Sequence, residues 1–322
     1  MQNHLLYIHF ISNHASNYVI SSDVTPSFIL LLAIIVDLLI KELPHNIHPV
    51  VWMGKEIEIL SRKLIHLGSK GGILIIFIST FTFLILTSLL SFFKYLNFYL
   101  YIIISSLWLS SMFSFRMLLG EASDVSKILE DSKIEEARIK VSNLVSRNVE
   151  GFDESLISSA CIESLSENFC DSIVAPIFYF LLFGLYGAVF YRVINTLDAM
   201  IGYEKYDAFG YYAARLDDLL NYIPARLCVP FMLWASLFLK LNFKNTKEIK
   251  KYACLTKSPN SGYPMASASC LLNVSFVKPN VYRIGDYRMP THEDIKKAVN
   301  LVATSSILFF IVSEGFLWLL GS

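Results

Sequence analysis

Long apolar runs with acidic residues inside or beside them constrain this chain more than any other feature of its sequence. Three runs, at residues 72–93, 98–119 and 299–320, each have about the 20 residues that a helix needs to cross the hydrocarbon core of a bilayer. Hydrophobic residues make up 54% of the chain and charged residues 17%, a balance that favours a membrane protein. The sequence therefore predicts an all-α, polytopic membrane protein.

Three further apolar runs contain features that a simple spanning helix usually avoids: a charge, a proline or a pair of glycines. They are residues 27–40 with Asp37, 172–200 with Gly184 and Gly187, and 223–241 with Arg226 and Pro230. Together with the three clear runs they give four to six membrane segments, and the last two either span the membrane or are re-entrant. Irregular backbone at that depth has to be shielded by protein or water.

Basic residues are distributed unevenly along the chain. The N-terminal tail, residues 1–26, has no Lys or Arg, whereas residues 41–71 and 121–171 have five each and residues 242–298 have ten. Because cytoplasmic loops are enriched in Lys and Arg, we expect the tail outside the cell and the three basic loops in the cytoplasm. The protein is then a multi-pass protein of the plasma membrane, and its active site faces the cytoplasm.

This orientation defines the expected domain organisation. Residues 27–322 form one membrane-embedded catalytic domain, with cytoplasmic excursions at residues 121–171 and 242–298. An even number of crossings is required between residues 171 and 242. The formal net charge is zero, so no basic surface indicates binding to nucleic acid.

Three carboxylates stand four residues apart just before the run at 172–200. On a helix, Glu163, Glu167 and Asp171 lie on one face. Like charges at this spacing destabilise a helix by roughly 0.2–0.5 kcal/mol per pair. We therefore expect a metal ion, a basic group or protons to neutralise them. This pattern favours an enzyme or a transporter over a passive membrane anchor.

Acid, amide and guanidinium groups are mixed in the segments that follow. Asn195 and Asp198 share a helical face, and Arg215 and Asp218 are three residues apart. Such a mixture suits a magnesium–phosphate site, because carboxylates hold the hard cation and Arg binds phosphate through two hydrogen bonds. Two plainer interpretations stay open: Arg215 and Asp218 form an ordinary ion pair, and Asp217 is a solvated carboxylate.

Other polar residues within or beside the apolar runs have two interpretations each. Asp37, Arg192 and Asp198 are either functional, which is the default for ionisable groups in spanning segments, or lock helices together. His48 is either a structural residue at the membrane boundary or part of the site. The segment SPNSGYPM, at residues 258–265, is expected to be a loop, because two prolines and a glycine disfavour a helix there.

The ordered polar blocks of this chain resemble the membrane-bound family of cobalamin biosynthesis that makes adenosylcobinamide phosphate. The resemblance runs from about residue 33 to residue 286. The family's blocks correspond to an acidic run ending in HPV and Met-Gly at 37–54, E-x-x-x-E-N-x-x-D-x-x-x-A-P at 163–176, N-T-L-D-x-M-x-G-Y at 195–203, F-G-x-x-x-A-R-x-D-D at 209–218, I-P-A-R at 223–226 and S-P-N-x-G-x-P at 258–264. Where the family usually has an aspartate after Ser-Arg, this chain has Asn148, and a usual lysine corresponds to Arg192.

The resemblance implies a specific reaction. The family joins adenosylcobyric acid to aminopropanol, or to its O-phosphate, through an amide bond. Because an unactivated carboxylate is a poor acyl donor, ATP and Mg²⁺ are the expected cofactors, with an acyl phosphate as the activated form. Adenosylcobyric acid, aminopropanol or aminopropanol phosphate, and membrane lipid are the expected partners.

The charge pattern and the resemblance together give the candidate site residues. The candidate catalytic residues are Glu163, Glu167, Asp171, Asp198 and Asp218, of which the first three are also the candidate Mg²⁺ ligands. The candidate substrate- and phosphate-binding residues are His48, Arg147, Asn168, Arg192, Asn195, Arg215, Arg226 and Asn260.

Two other functions stay open at this point. A transporter would also use intramembrane carboxylates and broken helices, but its polar groups would converge at the bilayer midplane. An enzyme like the CDP-alcohol phosphotransferases needs an Asp-Gly pair, then Ala-Arg, then two spaced aspartates. Here the aspartates Asp217 and Asp218 are adjacent, so the spacing does not match.

Overall fold

A computed structural model describes residues 24–40, 43–202 and 207–321, so nearly all of the predicted tail lies outside the described residues. Apart from one small hairpin, the regular structure is helical, which confirms the all-α fold class. The helices are α1 (Thr25–Ile40), α2 (Pro49–Leu64), α3 (Ser69–Leu90), α4 (Phe92–Leu96), α5 (Phe98–Ser110), α6 (Phe115–Glu130), α7 (Ile134–Ser142), α8 (Glu154–Phe169), α9 (Ala175–Ile201), α10 (Asp207–Leu220), α11 (Tyr222–Phe238), α12 (Ile249–Ala253), α13 (Gly262–Leu272) and α14 (His292–Gly321). A π-helical turn, Cys170–Val174, joins α8 to α9, and the strands are β1 (Phe276–Lys278) and β2 (Tyr282–Ile284).

Among the described residues, four helical segments are long and apolar enough to cross a membrane. They are Ser69–Leu96, Phe98–Glu130, Glu154–Ile201 and His292–Gly321. Three of them contain the clear spanning runs predicted from the sequence, and the fourth contains the run at 172–200. The helices at Thr25–Ile40 and Tyr222–Phe238 are apolar but shorter.

The run at 98–119 is a broken helix, because α5 ends at Ser110 and α6 begins at Phe115. The Asp37 carboxylate, on α1, accepts hydrogen bonds from the backbone N–H groups of Phe115 at 3.2 Å and Arg116 at 2.9 Å. These donors have no partner inside their own helix, so Asp37 satisfies them in place of water. Of the two interpretations of Asp37, these contacts show the one in which it locks helices together.

The segment Glu154–Ile201 is a hairpin with two helical limbs. Gly184 has φ 61° and ψ −150°, a left-handed conformation that favours glycine, and it interrupts α9. The rings of Tyr179 and Tyr191 stack with centroids 5.5 Å apart, whereas residues twelve apart on a straight helix are about 18 Å apart. We therefore distinguish a first limb, residues 154–183, from a second limb, residues 184–201.

The two ends of this hairpin lie at opposite ends of α3. At the tip, Gly184 lines a cavity together with Ser91, just after α3. At the open end, the carbonyl of Ile201 lies against Gly210 of α10, and the carbonyl of the adjacent Phe209 lies against Gly72 in the first turn of α3. The run at 172–200 therefore reverses its direction at Gly184.

The second excursion places a small hairpin against the first limb. Helix α13 begins at Gly262 and includes Pro264 in its first turn, so the loop expected over residues 258–265 is shorter than predicted. Proline is tolerated there because the N–H of a first-turn residue has no helical partner. The antiparallel strands β1 and β2 pair Lys278 with Tyr282. The backbone N–H of Val277 donates to Ser159 Oγ on α8 at 2.8 Å, which fixes the hairpin beside the first limb.

Candidate active site

The hairpin brings the two predicted groups of polar residues face to face. Glu167 and Asp171 on the first limb lie close enough to Asp198 on the second limb for their charges to interact. The charge of Arg192 acts on Asp171, and its guanidinium donates to Asn195 Oδ1 at 3.2 Å. Residues about 30 positions apart in sequence thus form one buried polar cluster because the chain reverses at Gly184.

Helix α10 adds a carboxylate that the sequence analysis did not select. Asp217 accepts hydrogen bonds from Asn195 Nδ2 at 3.3 Å and from Asn221 Nδ2 at 2.9 Å. The Tyr191 hydroxyl donates to Asn221 Oδ1 at 2.9 Å, so the amide is held in place. The charges of Glu167 and Asp171 also interact with Asp217. The interpretation of Asp217 as a solvated carboxylate is therefore wrong.

The surroundings of Asp217 change its acidity. Burial raises the pKa of Asp217 from 3.8 to about 6, with a smaller contribution in the same direction from the negative charge of Asp218. The two amide hydrogen bonds oppose this change but do not cancel it. A carboxyl group with a pKa near neutrality can accept a proton and release it again under physiological conditions.

Asp218 connects α10 to the loop before α13. Its carboxylate accepts a hydrogen bond from Ser258 Oγ at 3.2 Å, and its carbonyl accepts one from Asn260 Nδ2 at 2.6 Å. Arg215 forms an ion pair with Asp218 at 3.5 Å, with 64% of its side chain exposed, and lies over the Tyr211 ring. Arg215 is therefore at the rim of the cluster, and Asn260 is buried beneath it.

Arg226 is held between two aromatic rings. Its guanidinium carbon lies 3.6 Å from the ring centroid of Tyr222 and 4.4 Å from that of Tyr263. It donates to the Tyr222 carbonyl at 2.6 Å and to Asn260 Oδ1 at 3.1 Å. These contacts fix the loop at residues 258–264 against α11, and they leave less of Arg226 for a ligand than the sequence analysis expected.

Glu163 lies at the other edge of the cluster and has a buried cationic partner. Arg147 Nη1 is 2.8 Å from Glu163 Oε1, and the two side chains are only 12% and 7% exposed. The charge of Lys278 and the hydroxyl of Tyr282 also act on Glu163. Burial, followed by the negative charge of Glu163, raises the pKa of Tyr282, so this phenol stays protonated. No pattern in the sequence pointed to Lys278 or Tyr282.

His48 and Asn168 occupy supporting positions. His48 caps α2, where its Nδ1 accepts a hydrogen bond from Val50 N at 3.2 Å. Burial and then the positive charge of Arg192 lower the pKa of His48, which places this ring at the edge of the cluster. Asn168 donates to the Ser164 carbonyl at 3.0 Å and accepts from Ser172 Oγ at 3.2 Å, so its described hydrogen bonds stay within the first limb.

The donor chemistry of the cluster fits Mg²⁺, although the side chains do not form a closed cage. No three His, Cys, Asp or Glu side chains of the described residues are grouped closely enough to hold a metal ion. Mg²⁺ usually binds through one or two carboxylates, with water and substrate phosphates as the other ligands. Glu167, Asp171 and Asp198 offer such carboxylates, whereas Glu163 is already paired with Arg147. The residues present therefore match Mg²⁺ in the type of ligand atom but do not by themselves complete its coordination.

The fold and the site define a polytopic α-helical membrane protein with a buried carboxylate cluster between the limbs of a helical hairpin. The chain matches the family model described as CobD/Cbib protein over residues 30–302. It belongs to this family.

Curated relatives agree with this assignment. A protein of Methanothermobacter thermautotrophicus named probable cobalamin biosynthesis protein CobD is 45% identical over 89% of this chain and 96% of its own length. A protein of Pyrococcus abyssi with the same name is 44% identical over 86% of this chain and 91% of its own length. The cobalamin biosynthesis protein CobD of Dehalococcoides mccartyi is 34% identical over 90% of this chain and 97% of its own length. No solved structure matches the chain significantly.

Proposed function

We propose that this protein acts in cobalamin biosynthesis as an adenosylcobinamide-phosphate synthase. In this reaction the carboxyl group of adenosylcobyric acid is joined to aminopropanol or its O-phosphate through an amide bond. Membership of the CobD/Cbib family and the names of the curated relatives support the biosynthetic role. The observation that carries the finer proposal is that polar residues from separate sequence blocks meet in one cluster at the hairpin.

The acidic side of the cluster suits the activation of a carboxylate. ATP and Mg²⁺ would supply that activation by converting the carboxylate into an acyl phosphate. Glu167, Asp171 and Asp198 would hold the cation, and Arg192 lies beside them to offset the negative charge of phosphate. Amide oxygens such as that of Asn195 would orient the polar groups of the substrates.

The amine substrate has to lose a proton before it attacks. An aliphatic amine is largely an ammonium ion at neutral pH, and only the neutral amine is a nucleophile. Asp217 is suited to receive this proton, because burial raises its pKa to about 6 and two amides fix its oxygens. Asp198 and Asp218 lie close enough to Asp217 for their charges to interact, so three carboxylates are grouped here.

The experiment that tests the proposal is a reconstituted reaction. Purified protein in detergent is incubated with adenosylcobyric acid, Mg²⁺–ATP and either aminopropanol or its O-phosphate, and the amide product is detected by its mass. We expect product from one of the two amines, and none when ATP or Mg²⁺ is omitted. Absence of product with both amines would contradict the proposal, because a transporter makes no covalent product in detergent.

A further inference from the structure

The guanidinium of Arg147 is only partly satisfied by its partner. Nη1 contacts Glu163, whereas Nε and Nη2 are buried and have no hydrogen-bond partner among the described residues. These two nitrogens form one edge of the planar group and present parallel N–H donors. Buried donors in folded proteins are nearly always hydrogen-bonded. This edge of the guanidinium therefore has two donors that could bind an oxyanion.

A second cation lies near Glu163, the partner of Arg147. Lys278 lies at the end of β1 opposite Tyr282, and its charge acts on both Glu163 and Glu167. The hydroxyl of Tyr282 also acts on Glu163. The β1–β2 hairpin is anchored to α8 by the hydrogen bond from Val277 N to Ser159 Oγ. Lys278 and Tyr282 therefore have a fixed position relative to the first limb.

We propose that Arg147 and Lys278 bind a phosphoryl group of a substrate. The free edge of Arg147 matches two oxygens of a phosphate, and Lys278 adds a positive charge that offsets the nearby Glu163 and Glu167. A carboxylate would also match the Arg147 edge, so competition by acetate distinguishes the two kinds of anion. The identity of the molecule that brings the phosphate rests on the proposed function, whereas the existence of the site rests on the unbonded edge and the second cation.

Direct binding of inorganic phosphate tests the site. The full-length protein in detergent is dialysed to equilibrium against labelled phosphate, and Arg147→Lys and Lys278→Gln are compared with the wild type. Arg147→Lys keeps the charge beside Glu163 but removes the edge. We expect phosphate affinity to fall roughly ten- to a hundredfold in each variant. Arg62→Lys and Lys133→Gln are the matched controls, because these side chains are 77% and 56% exposed, and their affinities should not change.

Competition identifies the source of the phosphate. Displacement by aminopropanol O-phosphate but not by ATP assigns the site to the amine substrate, and the opposite result assigns it to the nucleotide. Unphosphorylated aminopropanol and acetate should not compete. The inference is overturned if the wild type binds no phosphate, if both site variants bind it normally, or if acetate competes as well as phosphate.

Binding and catalysis can fail separately. A protein that binds phosphate through Arg147 but forms no amide would contradict the proposed function alone. A protein that forms the amide, with unchanged phosphate affinity in both variants, would contradict this inference alone.

Discussion

Replacing Asp217 by asparagine should stabilise the protein and inactivate it. Raising the carboxyl pKa from 3.8 to about 6 means that the folded state binds a proton more tightly than the unfolded state. The stability linked to this proton is fully present below pH 3.8 and is lost as pH rises through 6. The full difference corresponds to about 3 kcal/mol, because each tenfold change in acidity is worth about 1.4 kcal/mol.

The expected gain therefore depends on pH. At pH 7.5 Asp217→Asn removes nearly all of the cost of about 3 kcal/mol, and at pH 4.5 it removes only about 1 kcal/mol. Asparagine cannot accept from both Asn195 and Asn221 in their present orientations, which costs about 1 kcal/mol at either pH. The net gain should be about 2 kcal/mol at pH 7.5 and close to zero at pH 4.5.

Chemical unfolding in detergent at the two pH values measures this gain, and amide formation measures activity. Asp131→Asn is the matched control, because the Asp131 side chain is 63% exposed and pairs with Lys133. The control should show no pH-dependent gain. Activity of Asp217→Asn should fall roughly a hundredfold if this carboxylate accepts the proton of the amine. An equal change in stability at both pH values, or a loss at pH 7.5, would refute the electrostatic reasoning.

Three further predictions concern other parts of the site. Glu167→Gln should reduce activity far more than thermal stability and weaken the apparent Mg²⁺ affinity in a titration; an active variant with unchanged Mg²⁺ dependence would return this carboxylate to a structural role. Arg192→Lys should raise KM for the phosphorylated amine or ATP more than Arg215→Lys does, because Arg215 is largely exposed; separate KM measurements for each substrate decide this, and unchanged values in both variants would exclude a phosphate role. Gly187→Ala should destabilise the hairpin, because a methyl group there would collide with the Tyr179 carbonyl; thermal unfolding at or above the wild-type temperature would contradict the described turn.

The sequence predicted which residues form the site better than it predicted how the chain folds to bring them together. Helical spacing was enough to place Glu163, Glu167 and Asp171 on one face. The Gly184 and Gly187 pair indicated a break. It favoured a re-entrant hairpin only weakly, because glycines in a sequence show that the backbone can bend but not the direction in which the chain continues. That direction depends on tertiary contacts such as the stacking of Tyr179 on Tyr191.

Asp217 could have been found from its spacing. Phe209 and Ala213 precede it by eight and four residues, and both are buried. Asp217 continues this face of α10, and Asn221 follows at the same interval. The spacing of Arg215 and Asp218 instead favoured the opposite face of α10, where the charged side chains are more exposed. Lys278 and Tyr282 had no such signal, because they reach the site through a hairpin whose docking on α8 no local pattern predicts.

The contact between Asp37 and the start of α6 has a consequence for biogenesis. Phe115 and Arg116 leave the ribosome long after α1, and their backbone donors open a helix in the middle of an apolar segment. In the hydrocarbon core of a bilayer, water is not available to accept hydrogen bonds from such donors. Helix α6 therefore depends on α1 for the pairing of its first two backbone donors, and a chain without α1 would leave both donors without the partner they have here.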